Sequence, residues 1–292
     1  MSSYPIVIGY DGSASAGAAL TWAQDEAARR SAPLKLVYVY EWAASVTPVP
    51  LGAAWPDPAV RREAVATVDE AVAKAHAARP QVELTGTVVD GTVVPTLRKL
   101  SEQAQLLVLG NRGLGGFTGL LAGSVATGVA THARCPVVVV RGSTPPERPV
   151  VVGVDDSPDA DRAVGFGFDQ AAARGVPLVA VRAWQPPPVP WRSDIRPLVY
   201  DSEELAASER RLASQALSRW QDKHPDVPVS IRLLPSTPAH ALIAASAEAQ
   251  LVVVGSRGRG GFRGLLLGSV ARQLIHHAHC PVAVIRDLTE PA

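Results

Sequence analysis

The sequence predicts an α/β protein made of two tandem, doubly wound, Rossmann-like domains, and three observations carry that expectation. Residues 106–141 align with residues 251–286 at an offset of 145, with 22 of 36 positions identical. The front ends align too, Ile6–Ser13 with Val150–Ser157 at an offset of 144, so a duplicated unit of about 145 residues fills the chain. Within each unit, short β-branched runs without polar alternation alternate with helical stretches, the pattern of strands buried on both faces of a parallel sheet. A Gly/Ser/Pro stretch from Gly142 to Pro146 separates the copies. The expected domains are residues 1–143 and 147–292, with a linker over 144–146.

Taken in order, the first copy offers strands at Ile6–Tyr10, Lys35–Tyr40, Val82–Val89, Leu106–Gly110 and Pro136–Arg141. Helices are expected between them at Ser15–Arg30, Pro58–Ala78, Val93–Gln103 and Ser124–His132. Asp57-Pro58 starts the second of these with an N-cap and a proline at N1. The second copy repeats the order, with strands at Val150–Val154, Leu178–Ala183, Val229–Leu234, Leu251–Gly255 and Pro281–Arg286. Its second helix begins near Asp201, with Glu204 three residues on as a capping box. Crossovers in such sheets are right-handed, and ligands collect outside the carboxyl ends of the strands.

Composition narrows the function classes. At 47% hydrophobic and 19% charged, the chain carries enough apolar material for two cores. The net charge is +1, and each half is balanced by itself: 12 basic against 11 acidic residues in 1–146, 16 against 16 in 147–292. No bulk field draws nucleic acid or an anionic membrane, so neither is an expected partner. No apolar run approaches a membrane span, the start lacks a basic leader, and two cysteines make no disulfide framework. The expected location is the cytoplasm.

Two features carry chemistry. After the fourth strand of each copy comes G-x2-G-x9-G-S: Gly110, Gly113, Gly123 and Ser124, then Gly255, Gly258, Gly268 and Ser269. Glycines permit positive φ and close backbone approach, and the following helix presents unpaired N–H groups and a positive dipole end, which suits a polyanion. It is neither a Walker A loop nor a G-x-G-x-x-G fingerprint. Asp11 and Asp155 close the first strands. Each reads equally as a structural N-cap or Asx-turn and as a carboxylate that accepts hydrogen bonds from a ribose or adenine edge.

The Asp-x-Ser after strand one, the G-x2-G-x9-G-S loop and the Cys-Pro-Val-x-Val of the last strand together resemble the universal stress protein family. The resemblance covers nearly the whole chain twice and points to a tandem member of the ATP-binding subclass. It implies a five-stranded parallel sheet of order 3-2-1-4-5 in each domain, with ATP, accompanied by Mg²⁺, resting its phosphates on the glycine loop. By resemblance, the four loop residues of each copy hold phosphate, Asp11 and Asp155 hold the nucleoside, and Val39 and Ala183 meet adenine through main-chain groups. It also implies pairing through the last strands, Val137–Val140 and Val282–Ile285, within one chain or in a homodimer. The copies differ in that Asp156 replaces Gly12, and Arg257, Arg259 and Arg263 stand where the first copy has Arg112, Leu114 and Thr118. The two sites are therefore expected to differ in affinity, with a sign the sequence leaves open.

Other side chains read more plainly. Cys135 and Cys280 are expected to be buried, and His276, His277 and His279 to favour a helix C-terminus rather than a metal. Trp42, Trp184 and Trp191 flank proline-rich segments that read as loops over the nucleotide edge. The loops contain no lysine, and no catalytic site is expected. The leading reading is an ATP-dependent regulatory switch with little turnover that signals to a protein partner. The alternative is a slow Mg²⁺-dependent ATP hydrolase or nucleotidyl-transfer enzyme.

Overall fold

A computed structural model describes residues 4–41, 58–113, 123–142, 145–185, 202–260 and 266–286. The first copy runs β1 (Ile6–Gly9), α1 (Ala14–Arg30), β2 (Leu34–Tyr40), α2 (Pro58–Ala78), β3 (Leu84–Asp90), α3 (Val93–Ser101), β4 (Leu106–Gly110), α4 (Ser124–His132) and β5 (Val137–Val140). The second repeats it as β6 (Val150–Gly153), α5 (Pro158–Arg174), β7 (Leu178–Trp184), α6 (Ser202–Gln221), β8 (Val229–Pro235), α7 (Pro238–Ser246), β9 (Leu251–Gly255), α8 (Ser269–His277) and β10 (Val282–Ile285). Pro58 opens α2 as expected, whereas the capping residues Asp57 and Asp201 lie outside the described residues. The third strand begins two residues later than Val82 and ends at Asp90.

The ten strands of the described residues form one sheet, ordered β3-β2-β1-β4-β5-β10-β9-β6-β7-β8. Each half has the order 3-2-1-4-5 and is parallel within itself. The halves meet where β10 pairs antiparallel with β5, Val282 opposite Val139 and Val284 opposite Val137. The last strands therefore satisfy each other inside one chain.

The unbroken apolar strands explain the layering. Alternate residues of each strand point to opposite faces. Ile6, Ile8, Leu34, Leu36 and Val138 pack under α1, α2, α5 and α6, while Val7, Val37, Leu107 and Val139 pack under α3, α4, α7 and α8. Both layers run without interruption from one half into the other.

On the α1/α5 side, the junction holds a buried ionic knot. Glu26, 1% exposed, accepts from Arg174 Nη2 at 2.9 Å, Arg30 Nε at 2.5 Å and Gln170 Nε2 at 2.7 Å. At the repeat offset of 144, Glu26 aligns with Gln170 and Arg30 with Arg174, so a pseudo-twofold relation brings Glu26 against its own counterpart. A carboxylate at both places would set two buried like charges together, and glutamine at one turns repulsion into a hydrogen bond. Arg174 also lies over the Trp22 ring, and Arg30 over Phe166.

Burial pushes the Glu26 carboxyl up, but Arg174, Arg30 and the Gln170 amide outweigh it and bring its pKa down to about 2. A folded pKa below the unfolded one stabilises fully above the ordinary glutamate range. That contribution is lost as the pH falls from there towards about 2. Glu26→Gln leaves the Arg174 guanidinium buried and short of a counter-charge, and should cost roughly 3–5 kcal/mol in urea unfolding at neutral pH. The variant should also lose less further stability than the parent as the pH is lowered from about 5 to about 3.

Candidate functional site

The first-copy site is assembled where β1 and β4 end side by side. Tyr10 N–H donates to Val37 O at 2.9 Å, which keeps the chain extended to the edge of the sheet. Gly12 then turns with φ +83°, a conformation other residues rarely adopt. Ser13 is the N-cap of α1, its Oγ accepting from Ala16 N, while Asp11 Oδ1 accepts from Ser13 N at 3.0 Å. The structural half of the aspartate reading is thus an Asx-turn, not a cap. Asp155 repeats it, accepting from Ser157 N at 2.9 Å with Ser157 capping α5.

The glycine loop begins with a close backbone approach. A Cβ on Gly110 would lie 2.7 Å from the Ser15 carbonyl carbon, and one on Gly255 would lie 2.8 Å from that of Asp159. Glycine here lets β4 and β9 end against the first turns of α1 and α5. That contact is then locked by a side-chain pair: Ser15 Oγ donates to Asn111 Oδ1 at 2.8 Å, and Ser256 Oγ donates to Asp159 Oδ2 at 2.7 Å. Donor and acceptor have exchanged places between the copies, since Ser15 aligns with Asp159 and Asn111 with Ser256.

The second glycine explains the aspartate's other oxygen. A Cβ on Gly113 would stand 2.7 Å from Asp11 Oδ2, and one on Gly258 would stand 2.6 Å from Asp155 Oδ2. Neither glycine, nor Gly110, Gly123, Gly255 or Gly268, has positive φ. The expectation that these glycines supply left-handed turns is corrected: Gly110 and Gly255 are needed because the strand ends lie against a helix, and Gly113 and Gly258 because the loop backbone lies against a carboxylate. The loop closes where Gly123 N–H donates to Asn111 O at 2.8 Å and Gly268 N–H to Ser256 O at 2.7 Å. Gly123 and Gly268 are the N-caps of α4 and α8, and a glycine has no side chain with which to cap. Ser124 and Ser269 stand one residue inside the helices and are exposed.

In the first copy these parts surround a cavity of about 350 Å³. Val37, Val39, Val93, Leu97 and Leu109 make its apolar wall, and Asp11, Asn111, Arg112 and the α4 N-terminus make its polar rim. All six first-copy residues expected from sequence line it: Asp11, Val39, Gly110, Gly113, Gly123 and Ser124. The second-copy set, Asp155, Ala183, Gly255, Gly258, Gly268 and Ser269, occupies the matching strand and helix ends.

The sequence reading missed Arg182. It sits on β7 at 2% exposure and gives both Nη atoms to Asp156, at 2.9 and 3.1 Å, and its Nε to Glu209 at 2.5 Å. Asp156 also accepts from Arg259 Nη1 at 2.8 Å. Hydrogen bonds from Arg182 hold its carboxyl at about 2 against the effect of burial, with Arg259 adding to them. Aligning the copies exposes the signal, because Arg182 falls on Tyr38 just as Asp156 falls on Gly12. Arg257 pairs with Asp159 at 3.7 Å, while Leu114, Thr118 and Arg263 lie outside the described residues.

Cys135 and Cys280 are buried, and burial pushes both thiols up to about 12, which suits packing rather than reactivity. His276 and His277 end α8 as expected, and burial, His277, Arg141 and Arg272 lower the His276 pKa. Among the described residues, no three His, Cys, Asp or Glu side chains are grouped to hold a metal, and no helix is long and apolar enough to cross a membrane. Trp184 ends β7, whereas Trp42, Trp191 and residues 186–190 lie outside the described residues.

The profile of the universal stress protein family matches residues 4–141 and 147–286. A universal stress protein of Mycobacterium tuberculosis strain H37Rv is 37% identical over 98% of this chain and 96% of its own. A second from that strain is 38% identical over 97% of each. A universal stress protein from Archaeoglobus fulgidus, solved by crystallography, superposes with a TM-score of 0.71 over 98% of this chain and 99% of its own. At 20% identity, that last likeness speaks to the fold.

The Ser15–Asn111 pair makes a local prediction. Ser15→Ala and Asn111→Ala should each cost about 1 kcal/mol, and the double variant little more than either alone, as read by a double-mutant cycle of thermal unfolding.

Proposed function

From the premise that the chain belongs to the universal stress protein family, we propose that it is an ATP-binding regulatory protein of the cytoplasm, a nucleotide-dependent switch with little turnover. The observation that carries this reading is the first-copy cavity. It has an apolar wall on one side and, on the other, a helix N-terminus whose N-cap is a glycine. The base would lie against Val37 and Val39, with the main chain at the end of β2 in reach. The phosphates would lie on Gly113, Gly123, Ser124 and the first N–H groups of α4, where the helix dipole favours anions. Asp11 would face the sugar.

The rim suits a nucleotide that brings its own counter-ion. Mg²⁺ commonly keeps several waters and takes one or two carboxylates besides phosphate oxygens, and Asp11 is a carboxylate of that kind on the rim. The ion would neutralise phosphate charge. Turnover needs more: positioned cations around the transferred group and a residue that orients the attacking oxygen. The rim residues from the described segments supply Arg112 and Asp11, with no lysine.

A switch also needs a route by which occupancy is felt elsewhere. Arg286, at the end of β10, donates to Thr131 O in α4 and to Leu266 O, at 2.7 Å, in the second copy's loop. One guanidinium therefore touches the helix that would receive phosphate in one copy and the glycine loop of the other. A protein partner, or a second chain, would read the loop surface, since β5 and β10 already occupy each other.

Two measurements test the reading. Protein purified under native conditions and then denatured should release ATP, and multiple-turnover phosphate release with Mg²⁺ should stay far below about 1 s⁻¹. Turnover at that rate would favour the hydrolase alternative, and the absence of any nucleotide affinity would defeat both. Gly113→Ala should weaken ATP binding about tenfold or more, because its Cβ displaces the Asp11 carboxylate and the loop with it.

A further inference from the structure

The two copies share a scaffold but not a charge pattern. Among the described residues around the second glycine loop stand Asp155, Asp156, Asp159 and Glu209 against Arg182, Arg257 and Arg259, while Arg263 of the same loop lies outside them. The aligned first-copy positions carry Asp11, Gly12 and Ser15 against Tyr38, Arg112 and Leu114. Glu209 aligns with Ala64 or Val65 at the two repeat offsets, and Glu63 beside them acts on Tyr38, so the difference that falls on the loop itself is Asp156 in place of Gly12.

The second copy's arginines also face carboxylates. Arg257 faces Asp159 and Arg259 faces Asp156. Arg259 is latched twice, by its guanidinium to Asp156 and by its backbone N–H to Asp155 Oδ2 at 3.1 Å. A phosphate tail on this loop meets one of two situations. If Arg259 stays on Asp156, the tail goes without that cation. If Arg259 turns to the tail, Asp156 is left beside the phosphates, held in place by the buried Arg182 behind it. The first copy faces neither choice, because Gly12 has no side chain.

Resting on the nucleotide reading above, we propose that Asp156, with Arg182 and Arg259, makes the second site selective against highly charged phosphate tails, so that the first copy is the tight ATP site. The Asp156–Arg259 pair is largely exposed, with side chains 43% and 58% accessible, so the latch by itself is weak and the Asp156 carboxylate added beside the loop carries the effect. A difference of at least tenfold, about 1.4 kcal/mol, is the size expected of one unit charge a few ångströms from another at a wet surface.

Calorimetric titration of the full chain with ATP at low salt tests this. Two classes of site are expected, the tighter removed by Asp11→Ala and the weaker by Asp155→Ala. Asp156→Asn keeps an acceptor for Arg182 and should tighten the weaker class at least fivefold while leaving the tighter one unchanged. Raising the salt from about 50 to about 300 mM should narrow the gap between classes, as should titrating with AMP, whose tail carries fewer charges. Two equal classes in the parent, a tight class lost with Asp155, or a gap insensitive to salt and tail charge would overturn the proposal. So would an Asp156→Asn variant that melts like the parent but binds unchanged. Failure of ATP to bind either copy would instead refute the nucleotide reading on which the proposal rests.

Discussion

Antiparallel hydrogen bonding between β5 and β10 is the constraint from which most of the architecture follows. A parallel five-stranded sheet whose last strand is Val137–Val140 would end on an apolar edge that presents unpaired N–H and C=O groups, the kind of edge that invites pairing with another chain. Joining the last strands of both copies removes two such edges at once. It also aligns the two apolar layers, so that each face of the sheet is one continuous core. The remaining edges, β3 and β8, carry half-buried and exposed residues, including Thr85 and Thr87 on one and Ser230 and Arg232 on the other.

That pairing brings α1 against α5, and this is where identical copies would fail. Two-fold symmetry sets residue 26 against its own counterpart, and a glutamate in both would be a buried like-charge pair. Glu26 against Gln170 resolves the conflict, and the surrounding arginines then turn a buried carboxylate into a specific cross-link. The same logic of paired change appears at the sites. Ser15–Asn111 becomes Asp159–Ser256 with the bond direction reversed, and Gly12–Tyr38 becomes Asp156–Arg182. In each case one substitution is intelligible only with its partner. The duplicated chain has kept the geometry while changing the charge that a ligand would meet.

Much of the fold was legible in the sequence because its evidence was repeated. The unalternating valine runs, the loop between strand and helix, and the Cys-Pro before the last strand each occur twice at a fixed offset. The structure then has the strand order and last-strand pairing that the resemblance implied. Element ends were legible to within a residue or two, since the start of β3 depends on the register with β2 rather than on local pattern. The six first-copy residues expected from sequence line one cavity because all lie on the carboxyl-end side of the sheet, where this topology gathers strand ends and helix N-termini.

What the glycines are for was not legible. Sequence shows that a side chain is missing, but only the tertiary structure shows what would occupy its place: the Ser15 backbone at Gly110 and the Asp11 carboxylate at Gly113, neither with positive φ. Arg182 was overlooked for a related reason. A charged residue in a buried strand reads as an anomaly until Asp156 and Glu209, 26 and 27 residues away, are brought to it. The sequence by itself determined the repeat, the layer architecture and the residue types at the strand ends, because these rest on periodicity and local propensity. The tertiary structure alone decided which charges meet, because an ion pair depends on distances across the sheet that no local pattern encodes.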